Sequence, residues 1–271
     1  MLGTGAVAGG SAGLSLSASA VLGLAGHSVT AVYSGDGSFA PSTSSALLLA
    51  AVANSAGGTP PNLAPGEFVT IYGGQLANGT AQPQTADFPT SLNGTSVVVT
   101  DRIGAVRLAG LAYVSPSQVN FLMPTDVLTG TATVVLMRGV DTVYTMQASV
   151  APVAPGLFTA DGTVAAALLV RVLADGSQVV ENVSGGIDMR SDTIYLQLYG
   201  TGIRNRSDIA NVICTINGQD LPATFAGPQG AYAGLDQINV LVPIGLKGAG
   251  TVKVWLTADG AVSNVATVTF R

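Results

Sequence analysis

Asn-Gly and Asp-Gly pairs punctuate this chain, among them Asn78-Gly79, Asn93-Gly94, Asp161-Gly162, Asp175-Gly176, Asn217-Gly218 and Asp259-Gly260. Such pairs tolerate the positive φ that tight β-turns require, so they mark reversals of direction. Between them lie runs of strand length, among them Phe68–Tyr72, Thr95–Thr100, Gln118–Met123, Thr131–Arg138, Tyr144–Val150, Thr193–Tyr199, Asn211–Ile216, Gln237–Val242, Thr251–Thr257 and Val262–Phe270. Short strands cut this often by turns read as sandwiches or barrels rather than βαβ units. Composition agrees. Glutamate occurs only at Glu67 and Glu181 and lysine only at Lys247 and Lys253, so two common surface helix formers are almost missing. The expected class is all-β.

Charge then limits function. Charged residues are 9% of the 271 and the net charge is −5, with no Lys/Arg cluster, which excludes a basic nucleic-acid binder. The apolar fraction of 48% argues against disorder. No apolar run reaches the roughly 18–20 residues of a membrane helix, so no transmembrane segment is expected. Ala18-Ser19-Ala20 resembles a cleavage site, but residues 1–26 carry no positive charge; if the protein is exported, its leader is expected upstream of this chain or already removed. The lone cysteine, Cys214, reads as a small buried hydrophobe within a strand.

An internal repeat sets the domain plan. Ser117-Gln118-Val119-Asn120-Phe121-Leu122-Met123-Pro124 aligns with Asp236-Gln237-Ile238-Asn239-Val240-Leu241-Val242-Pro243, and Val69–Gly73 echoes Leu196–Gly200. The Gln and Asn amides are expected to bind backbone at a sheet corner, with proline ending each strand. The plan is a partial sandwich over 1–53, a sandwich over 54–158, and a bridging hairpin around Asp175-Gly176 with a second, related sandwich over 159–271.

Two stretches carry a family resemblance. Gly26-His27-Ser28-Val29-Thr30-Ala31-Val32-Tyr33-Ser34-Gly35-Asp36-Gly37-Ser38-Phe39-Ala40-Pro41-Ser42-Thr43-Ser44 resembles the second half of a bacterial Ig-like repeat. Residues ~51–271 resemble the C-terminal domain of unknown function at the ends of large secreted acidobacterial proteins. The matching pieces are Ala64-Pro65-Gly66, Ile71-Tyr72-Gly73, Val114–Asn120, Ala154-Pro155-Gly156-Leu157-Phe158, Tyr199-Gly200-Thr201-Gly202 and Gly234–Asn239. The resemblance implies tandem Ig-like β-sandwiches, the N-terminal one incomplete, in a non-catalytic extracellular or cell-surface protein.

The incompleteness is the sharpest expectation. A bacterial Ig-like repeat spans about 80–90 residues, and only its second half resembles residues ~14–50. Strands near Leu14–Ser19, His27–Ser34 and Ser45–Val52 cannot close a sandwich alone. They leave Leu14, Leu16, Val29, Ala31, Tyr33, Leu47 and Leu49 as candidate subunit-interface positions with unpaired edges. Either the chain is a piece of a longer protein or another subunit supplies the missing strands, and a start at Met1 inclines the expectation to the second. β-Strand complementation between subunits would then build a homo-oligomer or polymer.

No constellation points to catalysis or a cofactor. His27 is the only histidine, and no Gly-x-Ser-x-Gly accompanies it. Without Cys/His clusters there is no zinc or iron pattern. Asp36, Asp161 and Asp175 sit in glycine turns that could present oxygens to calcium, yet without Asp-x-Asp-x-Asp spacing. Asn78, Asn93, Asn182 and Asn205 begin Asn-x-Ser/Thr triplets. The reading is a structural subunit of a bacterial surface fibre. Its alternative is an adhesion or carbohydrate-binding module of a larger secreted protein, contacting glycans through Trp255, Tyr113 or Tyr232.

Overall fold

The computed structural model describes residues 1–16, 18–57, 62–85, 87–190 and 192–271. The fold is all-β; among the described residues the helical elements are one six-residue helix, α1 (Ala18–Gly23), and two short 3-10 turns. The helix departs from the strand expected over 14–19. Ser17 lies outside the described residues, and Leu14 and Leu16 lie in irregular chain. Ala18, Ala20 and Leu22 are strong helix formers.

After α1 the chain makes one long hairpin with two short ladders. The outer arm holds β1 (Ser28–Val29) and β2 (Val32–Tyr33); the return arm holds β3 (Ser42–Thr43) and β4 (Leu47–Leu48). β1 pairs with β4 and β2 with β3, both antiparallel. The return arm continues into β5 (Ala51–Asn54), which pairs with β7 of the next unit.

That unit is a two-sheet sandwich. Its strands are β5, β6 (Asn62–Leu63), β7 (Phe68–Tyr72), β8 (Thr95–Thr100), β9 (Val106–Leu108), β10 (Gly110–Val114), β11 (Gln118–Leu122), β12 (Gly130–Arg138) and β13 (Asp141–Val150). One sheet has the order β10-β11-β7-β5 and the other β6-β13-β12-β8-β9. Alternate residues face inward: Val69 and Ile71 from one sheet meet Val97, Val99, Val134 and Leu136 from the other in one core. Each such side chain fully removed from water contributes about 1.5–3 kcal/mol. Only Ala109 separates β9 from β10, so a single run leaves one sheet and enters the other.

The second unit has one ten-stranded sheet folded around a second core. It contains β14 (Gly156–Leu157), β15 (Ala167–Val172), β16 (Gln178–Asn182), β17 (Thr193–Thr201), β18 (Val212–Ile216), β19 (Gln219–Pro228), β20 (Asp236–Leu241), β21 (Gly250–Ala258), β22 (Ala261–Val262) and β23 (Ala266–Phe270). The order is β16-β15-β17-β20-β19-β18-β21-β22, with β14 on β17 and β23 on β21. The hairpin around Asp175-Gly176 is β15–β16. The single strand expected over 262–270 is two strands, because Ser263 and Asn264 spend their polar groups elsewhere. Ser263 Oγ accepts from the Leu256 amide, and the Asn264 side chain bonds both the N–H and the C=O of Leu157.

Turn chemistry follows the sequence at three of those six pairs, while Gly162 and Gly176 take positive φ without their Asp and Asn78-Gly79 does not. Asn93-Gly94, Asn217-Gly218 and Asp259-Gly260 each place both residues at positive φ, as a type I′ hairpin turn demands. The repeat is reproduced in register: Gln118 pairs with Tyr72, and Gln237 pairs with Tyr199. The repeated amides do something other than bind backbone. Gln118 Nε2 donates to Asn120 Oδ1 at 2.8 Å, and Gln237 Nε2 donates to Asn239 Oδ1 at 2.8 Å. Residues two apart share a face of a strand, so each pair satisfies itself along its own strand.

Candidate functional site

The hairpin formed by residues 26–49 is held by backbone bonds at its base: Gly26 N to Leu49 O at 2.8 Å and Leu49 N to His27 O at 3.0 Å. Midway, Ser44 N donates to Ala31 O, and Ala31 N donates to Ser44 Oγ, a side chain standing in for a ladder acceptor. At the tip, Asp36 Oδ1 accepts from the amides of Ser38 and Phe39, and Oδ2 accepts from Tyr33 Oη at 2.6 Å. The Tyr33 hydroxyl and these two amides hold the Asp36 carboxyl below its usual range; the same bond raises Tyr33. Asp36 is the only carboxylate in residues 26–49, which carry no Lys or Arg. The hairpin's one carboxylate is thus absorbed by its own turn.

Apolar side chains on this hairpin stay uncovered by the described residues. Val29, Tyr33 and Leu49 are half-buried, Ala31 is exposed and Leu47 is 63% exposed. On the other face, Val32 is 73% exposed and Phe39 at the tip is exposed. Five of the seven interface candidates thus share one hairpin, whereas Leu14 and Leu16 lie outside any strand.

A second constellation, invisible in the sequence, lies where the two units meet. Glu67, immediately before β7, is fully buried. Its Oε2 accepts one bond from Asn54 Nδ2 at 3.1 Å, and among the described residues its Oε1 has no hydrogen-bond partner. Asn54 Nδ2 also donates to Ala154 O at 2.8 Å, tying β5 to the connection between the units. Burial pushes the Glu67 carboxyl well above its ordinary range and the Asp236 charge adds to the rise, against opposing pulls from the Ala64 amide and Asn54. Alongside, Thr201 Oγ1 accepts from Phe68 N and donates to Gly234 O, and Asn205 Nδ2 donates to Pro65 O. Asp236, also buried, accepts from the amides of Ile203 and Arg204 and from Arg204 Nε at 2.9 Å. Gly202 has φ +78° and closes the joint: a Cβ there would overlap the Ala154 carbonyl oxygen and lie 2.5 Å from Glu67 Oε2. This network fixes one unit against the other. Apart from Glu67 Oε1, its polar groups are spent on one another, and the geometry is that of a joint.

The remaining sequence candidates do not converge. Asp161 accepts from Thr163 and Val164, and Asp175 accepts from Ser177, each within its own loop. Among the described residues no three His, Cys, Asp or Glu side chains group as metal ligands would. His27 lies exposed at the hairpin base. Cys214 is buried in the second core, and burial pushes its thiol up to about 12. Tyr232 is exposed, while Tyr113 and Trp255 are half-buried on separate strands. No helix among the described residues is long and apolar enough to cross a membrane. Compared with protein-family models and with curated proteins, the chain matches none of them.

Proposed function

We propose that this chain is a non-catalytic structural subunit of an extracellular fibre or surface assembly, with tandem Ig-like units joined to their neighbours by β-strand complementation through the N-terminal hairpin. The observation that carries the reading is the hairpin at 26–49. It is ordered by two short ladders, it carries no unspent carboxylate or Lys/Arg charge, and it leaves Leu47, Val32 and Phe39 uncovered. Natural edges are usually blunted by charge, proline or a bulge, and an unprotected one invites pairing with another chain. The buried joint suits the same role, because a subunit that bears load along its length needs its two units held in fixed relation.

The test is size-exclusion chromatography with electron microscopy on the full chain and on a chain lacking residues 26–49. The reading expects large or filamentous species from the full chain and a folded monomer from the deletion. A full chain that stays monomeric at high concentration, with residues 1–50 readily cleaved by protease, overturns it.

A further inference from the structure

The complementation reading names a donor without an acceptor. Resting on it, we infer that the donor's outer arm, residues 28–33, adds to the outer edge of β9 in a second copy of this chain.

Among the described residues β9 ends the five-stranded sheet and pairs with β8 alone. Its ladder is bounded by Asp101 N to Ala105 O on one side and Ala109 N to Val97 O on the other. Antiparallel ladders alternate bonded and non-bonded pairs. The Val106–Thr100 and Leu108–Val98 pairs therefore fall at non-bonded positions, and the N–H and C=O groups of Val106 and Leu108 turn outward, away from β8. Their side chains point to the outer face, where Val106 is 66% and Leu108 54% exposed, with Ile103 exposed nearby. The one charge on the strand is withdrawn. Arg107 points to the opposite face and is paired with Asp101 at 3.0 Å and Asp126 at 2.8 Å.

The surface that such an addition would extend is neutral across the sheet. By register, Leu108 lies beside Val98, Val135 and Thr145, and Val106 beside Thr100, Thr133 and Gln147. Copies of a chain with net charge −5 repel one another, so their closest approach favours surfaces without charge. The hairpin and the β9 edge are both such surfaces. They are also different surfaces, so one copy's donor engages the next copy's acceptor and the contact propagates without closing on itself.

Other sheet ends fit less well. The far side of β10 is already occupied by Ala81 and Pro89, and β23 is bridged by Val164 and Ile187. β22 is two residues long. β16 puts its neighbouring Val179 and Val180 on opposite faces and carries the charged Glu181, so it offers no single apolar stripe.

Two experiments on the full chain test the assignment. Val106→Lys with Leu108→Lys puts ammonium groups along the edge, the device by which natural sheets deter strand addition, and the assembled fraction should fall about tenfold or more, which needs about 1.4 kcal/mol. Val179→Lys with Val180→Lys on β16 should leave assembly unchanged. Separately, mixing Val32→Cys copies with Val106→Cys copies should give a heterodisulfide; native Cys214 is buried and stays out of the exchange. Assembly that survives the β9 lysines but dissolves on deletion of 26–49 overturns the acceptor and keeps the hairpin reading. Cross-linking of Val32→Cys to Val180→Cys in place of Val106→Cys also overturns it. An intact chain that never assembles overturns both.

Discussion

Replacing Glu67 by glutamine should change how stability depends on pH, and the sign follows from the joint. The carboxyl is fully buried, has one hydrogen bond from Asn54, and feels the like charge of Asp236. Its folded value therefore lies well above the ordinary 4.5. A group raised in this way contributes stability that is fully present below the unfolded value and is lost as pH rises toward the folded one. Between those values wild-type stability should fall by up to about 1.4 kcal/mol per pH unit from this residue. At pH 7 the loss relative to pH 4 has an upper bound of about 3 kcal/mol. Glutamine keeps an acceptor for Asn54 and cannot ionise, but it puts an amide nitrogen where Oε1 has no partner, a constant cost of about 1–3 kcal/mol. The diagnostic is therefore the slope and not the offset. Asp236 is also raised, chiefly by burial, and its burial acts in both proteins, so the difference in slope reports Glu67 and its coupling to Asp236. Urea unfolding at pH 4, 5.5, 7 and 8.5 measures this directly. Converging curves, with the variant gaining on the wild type as pH rises, are expected. Parallel curves would refute the reasoning, because they would mean that Glu67 titrates alike in the folded and unfolded chain.

The joint and the lone thiol make two further predictions. Gly202→Ala combines a positive φ with overlap of the Ala154 carbonyl, and should cost more than the roughly 1–2 kcal/mol of the backbone conformation alone; equilibrium unfolding that differs by less than 1 kcal/mol contradicts the close approach. Cys214, buried with its thiol raised to about 12, should resist thiol reagents in native buffer and react at once in denaturant, as followed by mass spectrometry; fast native labelling would show that the second core is open.

Much of the fold was legible because its rules are local. Asn-Gly and Asp-Gly turns and period-two alternation act over a few residues, and they mark strands such as Thr95–Thr100, where Val97 and Val99 turn inward. The repeat was legible too, down to equivalent register at Tyr72–Gln118 and Tyr199–Gln237. What stayed hidden depends on distant partners. Glu67 follows Pro65-Gly66 in what reads as a solvated turn, and only Asn54, Ala154 and Gly202 converging on it make it internal. A faint signal existed: Ala-Pro-Gly occurs at both 64–66 and 154–156, and both triplets meet at the joint. Arg171 sits in the run Leu168-Leu169-Val170-Arg171-Val172 with nothing local to show that it is buried. Glu181 on β16 and Asp192 just before β17 neutralise it, at 2.7 and 3.2 Å. The edge of β9 was equally hidden, since an open edge is defined by the strand that does not lie beside it.

Negative-stain electron microscopy of the purified chain at rising concentration tests the central claim most directly. Strand complementation through residues 26–49 predicts particles that lengthen with concentration and disappear when that hairpin is removed. Uniform single particles at every concentration, unchanged by the deletion, would contradict it.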